Sequence, residues 1–381
     1  MSSSPQNVLL LLLTLWVAIY ILCRLLHLER KGVEVKPIYL TVRTQRFNDL
    51  MVRTATRHPS LWKAYGNLGI AASFVEIVLA AYTLGINLYN FAYAPKSATP
   101  VVPLLPGVTI SFTWFPYLLI AIGIAVIIHE AAHGITASAE KVAIKSSGIV
   151  FAPITFGAFV EPDEEQFEKA GLASKLRVLA SGSFANALAG LLIFLLLFTL
   201  FTPQSGVLVT SVRPDGPAAL AGMRDWDVVY AIDDSLTPDY PRMRVIISAL
   251  KPGDMIFLDT SRGRLNVVTV PSPENSSVAY LGIQSLVNYR YYPLRIGEFS
   301  TYFTYHLRLV FDWTYMIMVN LAIFNMLPLY PLDGDGFVYS ILKGKLKKGA
   351  GEVRKIVNVF SLSLLGLNMA LTFIRYGVTP I

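Results

Sequence analysis

One cysteine, Cys23, stands in 381 residues, which excludes an internal disulfide framework and any cysteine-rich metal site. Charge is scarce as well. Asp, Glu, Lys and Arg make up 15% of the chain, where soluble globular proteins carry about 25%. That shortage excludes a cytosolic enzyme, and the 54% hydrophobic content excludes disorder. No basic residue precedes the first apolar run, so it lacks the polarity of a cleaved signal sequence, in which the charges come first. It reads as a retained anchor.

What is abundant is long apolar sequence. A membrane-spanning helix needs about 20 mostly apolar residues, and six windows qualify, at 8–26, 68–92, 115–137, 178–201, 313–332 and 356–374. The net charge of +7 sits largely in two connections. Arg24, Arg30, Lys31, Lys36, Arg43, Arg46, Arg53, Arg57 and Lys63 crowd the first; Lys343, Lys345, Lys347, Lys348, Arg354 and Lys355 crowd the last. The positive-inside rule makes both cytoplasmic. With six spans the first and fifth connections share a side, so the two assignments agree independently. The longest connection, roughly 203–308, then lies outside the cell. The positive charge is thus a topology signal, with the lipid bilayer as partner and no nucleic-acid partner expected.

From Pro203 to about Gln284 the composition turns soluble. Strand-like runs at 206–212, 227–232, 255–258 and 265–270 are separated by turn signals such as Asp215-Gly216-Pro217 and Pro252-Gly253-Asp254. The stretch Gly216-Pro217-Ala218-Ala219-Leu220-Ala221-Gly222-Met223, followed by Asp227-Val228-Val229-Tyr230-Ala231-Ile232-Asp233, resembles a PDZ domain of the bacterial-protease type. Such a domain binds extended peptides by strand addition, so a peptide ligand is expected, in a groove lined in part by 205–209.

Ionisable side chains inside a bilayer are costly and point to function. The strongest group is His129-Glu130-Ala131-Ala132-His133. Residues four apart on a helix sit about 40° apart around its axis and about 6 Å along it, so both imidazoles face one way. That spacing suits two ligands of a tetrahedral zinc, with Glu130 placed as general base toward water at the metal. About 14 apolar residues precede His129, which puts it about 21 Å into a hydrocarbon core about 30 Å thick. A divalent cation would justify three ionisable groups at that depth.

Zinc needs a third protein ligand, and the buried candidates are few: Glu76 in the second span, and Asp333 and Asp335 at the end of the fifth. The third and fifth spans run in the same direction, so the aspartates reach the depth of the histidines. Pro328 and Pro331 interrupt the helix there, which a membrane tolerates only where backbone faces protein or a wet cavity.

His-Glu-x-x-His in one span, with Asn325-Met326-Leu327-Pro328 and Asp333-Gly334 in a later one, resembles the site-2 protease family of intramembrane zinc metalloproteases, in its prokaryotic form. Gly157-Ala158-Phe159-Val160-Glu161-Pro162 is similar to that family's glycine-led hairpin, and Ser181-Gly182-Ser183-Phe184-Ala185-Asn186 to its Gly-Pro-x-x-Asn segment. The resemblance implies that His129, His133 and Asp333 bind Zn2+ and that Glu130 is the catalytic base. It also implies that Asn186, Gly157 and Phe159 contact substrate and that Asn325 shapes the site. Ser183 stands where the family usually has proline, and Asp335 where a second glycine is common.

The expected fold is an all-α polytopic membrane protein of about six transmembrane helices with an inserted small α/β PDZ-like domain. The expected segments are an anchor helix and basic cytoplasmic stretch (1–66), the first part of a catalytic core (67–202), the insert (203–285), and the second part of the core with a C-terminal helix (286–381). The expected activity is zinc-dependent hydrolysis of peptide bonds in transmembrane protein substrates, at a site near the cytoplasmic face of the cell membrane. A non-catalytic relative that binds membrane segments, and a proton- or metal-coupled transporter, are the rival readings.

Overall fold

The computed structural model describes residues 5–153, 155–203, 205–284, 290–346 and 348–377; Lys347 of the second basic cluster lies outside them. The chain divides into two compact units, Met1–Leu191 with Trp313–Ile381, and Leu192–Asp312.

The larger unit begins with α1 (Pro5–Leu25), then β1 (Val33–Val35), β2 (Leu40–Arg43), α2 (Gln45–Arg57) and the long α3 (Pro59–Tyr93). Pro59 opens α3 at a position where a missing N–H costs nothing. Next come α4 (Phe115–Ala139), the hairpin β3 (Ile144–Ala152) and β4 (Thr155–Pro162), the short α5 (Glu164–Lys169) and α6 (Leu172–Leu200). Asp163 caps α5 by accepting from the Gln166 N–H at 2.9 Å.

The inserted unit carries β5 (Gly206–Leu208), β6 (Ser211–Val212), α7 (Pro217–Leu220), β7 (Val228–Ile232), β8 (Ser235–Leu236), α8 (Tyr240–Ala249), β9 (Met255–Thr260), β10 (Gly263–Val268), β11 (Val270–Pro271), β12 (Ala279–Tyr280), β13 (Ile283–Gln284) and β14 (Arg290–Tyr291). The chain then returns through α9 (Thr301–Asn325), α10 (Asp333–Lys345) and α11 (Ala350–Tyr376).

Five described helices, α3, α4, α6, α9 and α11, are long and apolar enough to cross a membrane, and α1 adds a shorter apolar stretch over Leu13–Leu25. The protein is thus a polytopic helical membrane protein with an α/β insert. The fifth apolar window continued to residue 332, but α9 stops at Asn325. Residues 326–332 are apolar yet not helical, and Asp333 and Asp335 open a new helix instead of closing the old one.

The buried face of α4 runs Leu118, Ala121, Ala125, His129, Ala132 at helical spacing. Ala121 and Ala125 pack against Ile317 and Met318 of α9, small residues letting the two backbones approach. Tyr65 of α3 donates its hydroxyl to Ser181 O of α6 at 2.7 Å, and its ring lies 5.0 Å from that of Phe184. A four-stranded antiparallel sheet, in the order β1-β2-β3-β4, belongs to the same unit and leaves β4 at its edge, against α4. The N-terminal basic segment therefore contributes two strands to the sheet that holds the expected glycine-led hairpin.

In the inserted unit the main sheet has the order β10-β9-β7-β5-β14, with β8 beside β7. Val207, Val209, Val229, Ile232, Ile256 and Leu258 fill its core. The 205–209 run is therefore core and not groove. An open groove of this unit, about 530 Å3, lies between α8 and residues 279–284 and is lined by Met243, Arg244, Ile247, Leu281 and Ile283. His306 stacks with Trp226 and Tyr302, ring centroids 5.3 and 4.1 Å away.

Candidate metal centre

His129 and His133 lie one turn apart on α4 with their ring centroids 4.7 Å apart. Each ring is held through Nδ1. His133 Nδ1 lies 2.7 Å from Val178 O of α6. A carbonyl can only accept, so Nδ1 carries the hydrogen and Nε2 of the neutral ring presents a bare lone pair. The Asn186 side chain, fully buried on α6, lies against His129 with its amide nitrogen 3.2 Å from Nδ1. Turned end for end, that amide accepts from Nδ1–H and fixes the same tautomer in the second ring.

Both Nε2 atoms then converge on one carboxylate oxygen. Asp333 Oδ2 is 3.1 Å from His129 Nε2 and 3.0 Å from His133 Nε2, and the two nitrogens are 3.1 Å apart. Two lone pairs and a carboxylate oxygen facing one another repel unless a cation lies among them. Zinc bonds of about 2.0–2.1 Å in a tetrahedron put ligand atoms about 3.3 Å apart, close to the spacing here. The donor set, two imidazoles and a carboxylate, is also a zinc set. These residues fit the metal.

The turn that delivers Asp333 depends on close backbone approach. A Cβ at Gly334 would sit 2.2 Å from Met326 O, so glycine lets the start of α10 fold against the end of α9. Asn325, last residue of α9, then donates from Nδ2 to Asp333 Oδ2 at 2.7 Å and lies 3.1 Å from His129 Nε2. Asp335, two residues on, turns away: it accepts from Arg354 and from Asn358 Nδ2. Of the three candidates for the third ligand, the structure brings Asp333 to the histidines. Glu76 is buried in α3 and stands outside the group of donor atoms.

Glu130 points elsewhere than its histidine neighbours. Its Oε2 accepts from the Val160 N–H at 2.9 Å, which ties the glutamate to the edge strand β4. Gly157 and Phe159 lie on the same strand. A Cβ at Gly157 would meet nothing within 4 Å, so that stretch of β4 is open, and the Phe159 ring lies 5.4 Å from the Arg43 guanidinium of β2. Glu161, at the end of the strand, is exposed; the Ser146 hydroxyl, with Arg43 beside it, holds its carboxyl below the usual range.

Sequence reasoning missed three parts of this arrangement. Val178 O and the Val160 N–H are backbone groups, which no residue type announces. Gly182 was visible only as part of a motif. A Cβ there would lie 2.4 Å from His133 Nε2 and 2.6 Å from His129 Nε2, so a glycine in the middle of α6 leaves room for both imidazoles.

A helix-borne His-Glu-x-x-His pair with a third donor beside it is the arrangement of a metalloprotease type of centre. The family described as Peptidase family M50 matches residues 117–367, and the chain belongs to that family of zinc metalloproteases. An uncharacterized protein of Methanocaldococcus jannaschii is 24% identical over 368 residues, covering 94% of this chain and 92% of its own length. A membrane-bound transcription factor site-2 protease homolog of Arabidopsis thaliana is 22% identical over 58% of this chain, which spans 40% of that protein. Among solved structures, the PDZ domain of an SdrC-like protein from Listeria monocytogenes aligns with 22% of this chain and 92% of its own, at 21% identity and a TM-score of 0.20.

Proposed function

We propose that this chain is an intramembrane zinc endopeptidase that cleaves peptide bonds within or near the transmembrane segments of other membrane proteins. The observation that carries the reading is the convergence of two lone-pair nitrogens and one carboxylate oxygen on a single point, beside a glutamate tied to an edge strand. Zinc, when bound, supplies Lewis-acid polarisation of a carbonyl and activation of water at neutral pH.

The protein's own residues supply the rest. Glu130 accepts a proton from the attacking water and returns it to the leaving amine. Val178 O, Asn186 and Asn325 keep the ligand side chains in place. A substrate helix must unwind before its scissile carbonyl is reachable, and β4 offers the freed backbone a strand to pair with. The basic connections put this site near the cytoplasmic face, with the inserted domain outside. There the apolar groove between α8 and residues 279–284 would take an extended peptide, a trimmed substrate end among the candidates.

The test is a paired measurement on detergent-purified protein, zinc per chain and cleavage of a single-span substrate, for wild type and Glu130→Gln. The expected result is near-stoichiometric zinc in both and cleavage only by wild type, the variant losing about 10²–10⁴-fold in rate. A wild type without zinc under conditions that strip none would sink the reading.

A further inference from the structure

One contact at the site plays no part in holding a metal: the Val160 N–H donates to Glu130 Oε2 at 2.9 Å. Val160 belongs to β4, which among the described residues has β3 on one side and no strand on the other. In an antiparallel ladder, successive residues alternate between turning both backbone groups toward the partner strand and turning both away. Val160 pairs with Ser147, whose carbonyl accepts from the Thr44 N–H at 2.9 Å, on the β2 side. The pair Val160/Ser147 is therefore one that exchanges no hydrogen bonds, and so is Ala158/Ile149 two residues along. Phe159 with Gly148, and Gly157 with Val150, are the bonded pairs. The N–H and C=O of Ala158 thus point off the sheet edge in the same direction as the Val160 N–H.

We infer that this edge divides its labour: the Val160 N–H positions Glu130, and the Ala158 N–H and C=O receive the substrate backbone. The inference rests on the protease reading above and deepens it. A backbone N–H in a strand cannot rotate, so it fixes one carboxylate oxygen and leaves Oε1 for proton transfer. A substrate strand that took the Val160 N–H would release the base. Productive pairing is therefore confined to Ala158, and docking and chemistry are served by neighbouring groups on one strand. Val160 is a positioning residue here, acting through its backbone alone.

Proline at either position deletes one outward N–H and no ladder bond, which an edge strand tolerates. Steady-state kinetics would be run on full-length, zinc-loaded protein with one transmembrane substrate that wild type cleaves. Val160→Pro is expected to lower kcat about ten- to a hundredfold, as loss of a hydrogen bond to a charged group would, with KM nearly unchanged. Ala158→Pro is expected to raise KM about tenfold while kcat stays within a few-fold. A backbone ester at residue 160, which replaces N–H by oxygen with no ring, must reproduce the loss in kcat. It decides the case if a proline variant misfolds or loses zinc. An ester that leaves kcat unchanged, or two prolines acting on the same kinetic parameter, overturns the inference while the protease reading stands. A zinc-loaded wild type that cleaves no transmembrane substrate overturns that reading, and the inference with it.

Discussion

At the metal centre a few side chains from distant parts of the chain meet: His133 and Asp333 are 200 residues apart in sequence and 3.0 Å apart in space. In the inserted unit no position stands out in this way. Its core is shared among Val207, Val209, Val229, Ile232, Ile256, Leu258 and their neighbours, each touching several others. The difference reflects what each region must do. A bilayer supplies an apolar surrounding to all of α4 and α6, so apolar residues there are interchangeable and the polar ones carry the specification. A small domain in water gains its stability from apolar area, which many residues share. Single substitutions should therefore act abruptly in one region and gradually in the other.

The largest effect is expected at Gly182. Replacing a mid-helix glycine by alanine usually stabilises a helix by up to about 1 kcal/mol. At Gly182 the added methyl would lie 2.4 Å from His133 Nε2, and the imidazoles must give way. Gly182→Ala should keep its helix content and lose at least about a hundredfold in zinc affinity, beyond what loss of an outer-sphere contact costs. Gly366→Ala in α11, where a Cβ meets nothing within 4 Å, is the matched control and should keep its zinc. Equal zinc affinity in the two variants would show that the site tolerates displacement of its ligands.

Leu258 tests the other side. It is fully buried in β9, and Leu258→Ala removes core volume at a cost of about 2–5 kcal/mol. Hydrogen exchange should accelerate throughout the inserted unit, since its core is one connected cluster. Zinc per chain should not change. Loss of zinc from this variant would mean that the two regions are not independent stores of information.

The same contrast explains how much was legible in advance. The spans and the grouping of ionisable side chains were readable because a bilayer makes them conspicuous: about 20 apolar residues in a row, and ionisable groups where none should be. The strand runs of the insert were readable as short apolar stretches bounded by turn signals, and β7 and β9 fall on them. The end of α9 was legible only in part: Pro328 and Pro331 marked an interruption, but residues 326–332 are as apolar as the helix before them, so the span was carried on to 332. β1 and β2 were not legible. They are three and four residues long, and β2 finds its partner about a hundred residues later, as in Arg43 opposite Gly148. Pairing over such a distance leaves no local pattern. That 205–209 is core was missed for a related reason: a strand-like run predicts a strand but not which of its faces and edges stay uncovered.

The smallest effect is expected at Asp335, where the concentrated region contains its own counterexample. Asp335 stands two residues from Asp333, in the same helical turn, yet its partners are Arg354 at 2.5 Å and Asn358 at 2.7 Å, both on α11. It joins two helices and has no part in the donor set. Its side chain is 4% exposed, and Arg354 is 35% exposed. Breaking a fully buried ion pair costs about 3–5 kcal/mol, and an exposed one contributes little. Asp335→Asn keeps the shape and can keep the bond to Asn358, so a loss of about 1–3 kcal/mol is expected. The measurement is the thermal midpoint with zinc chelated, because bound metal would add its own stabilisation and mask the difference. Zinc stoichiometry, measured separately, should be unchanged. If Asp335→Asn instead strips zinc without lowering the midpoint, the first turn of α10 acts as a single ligand unit. Two aspartates in one turn would then have to be read together, and the separation of structural from metal-binding roles drawn here would not hold.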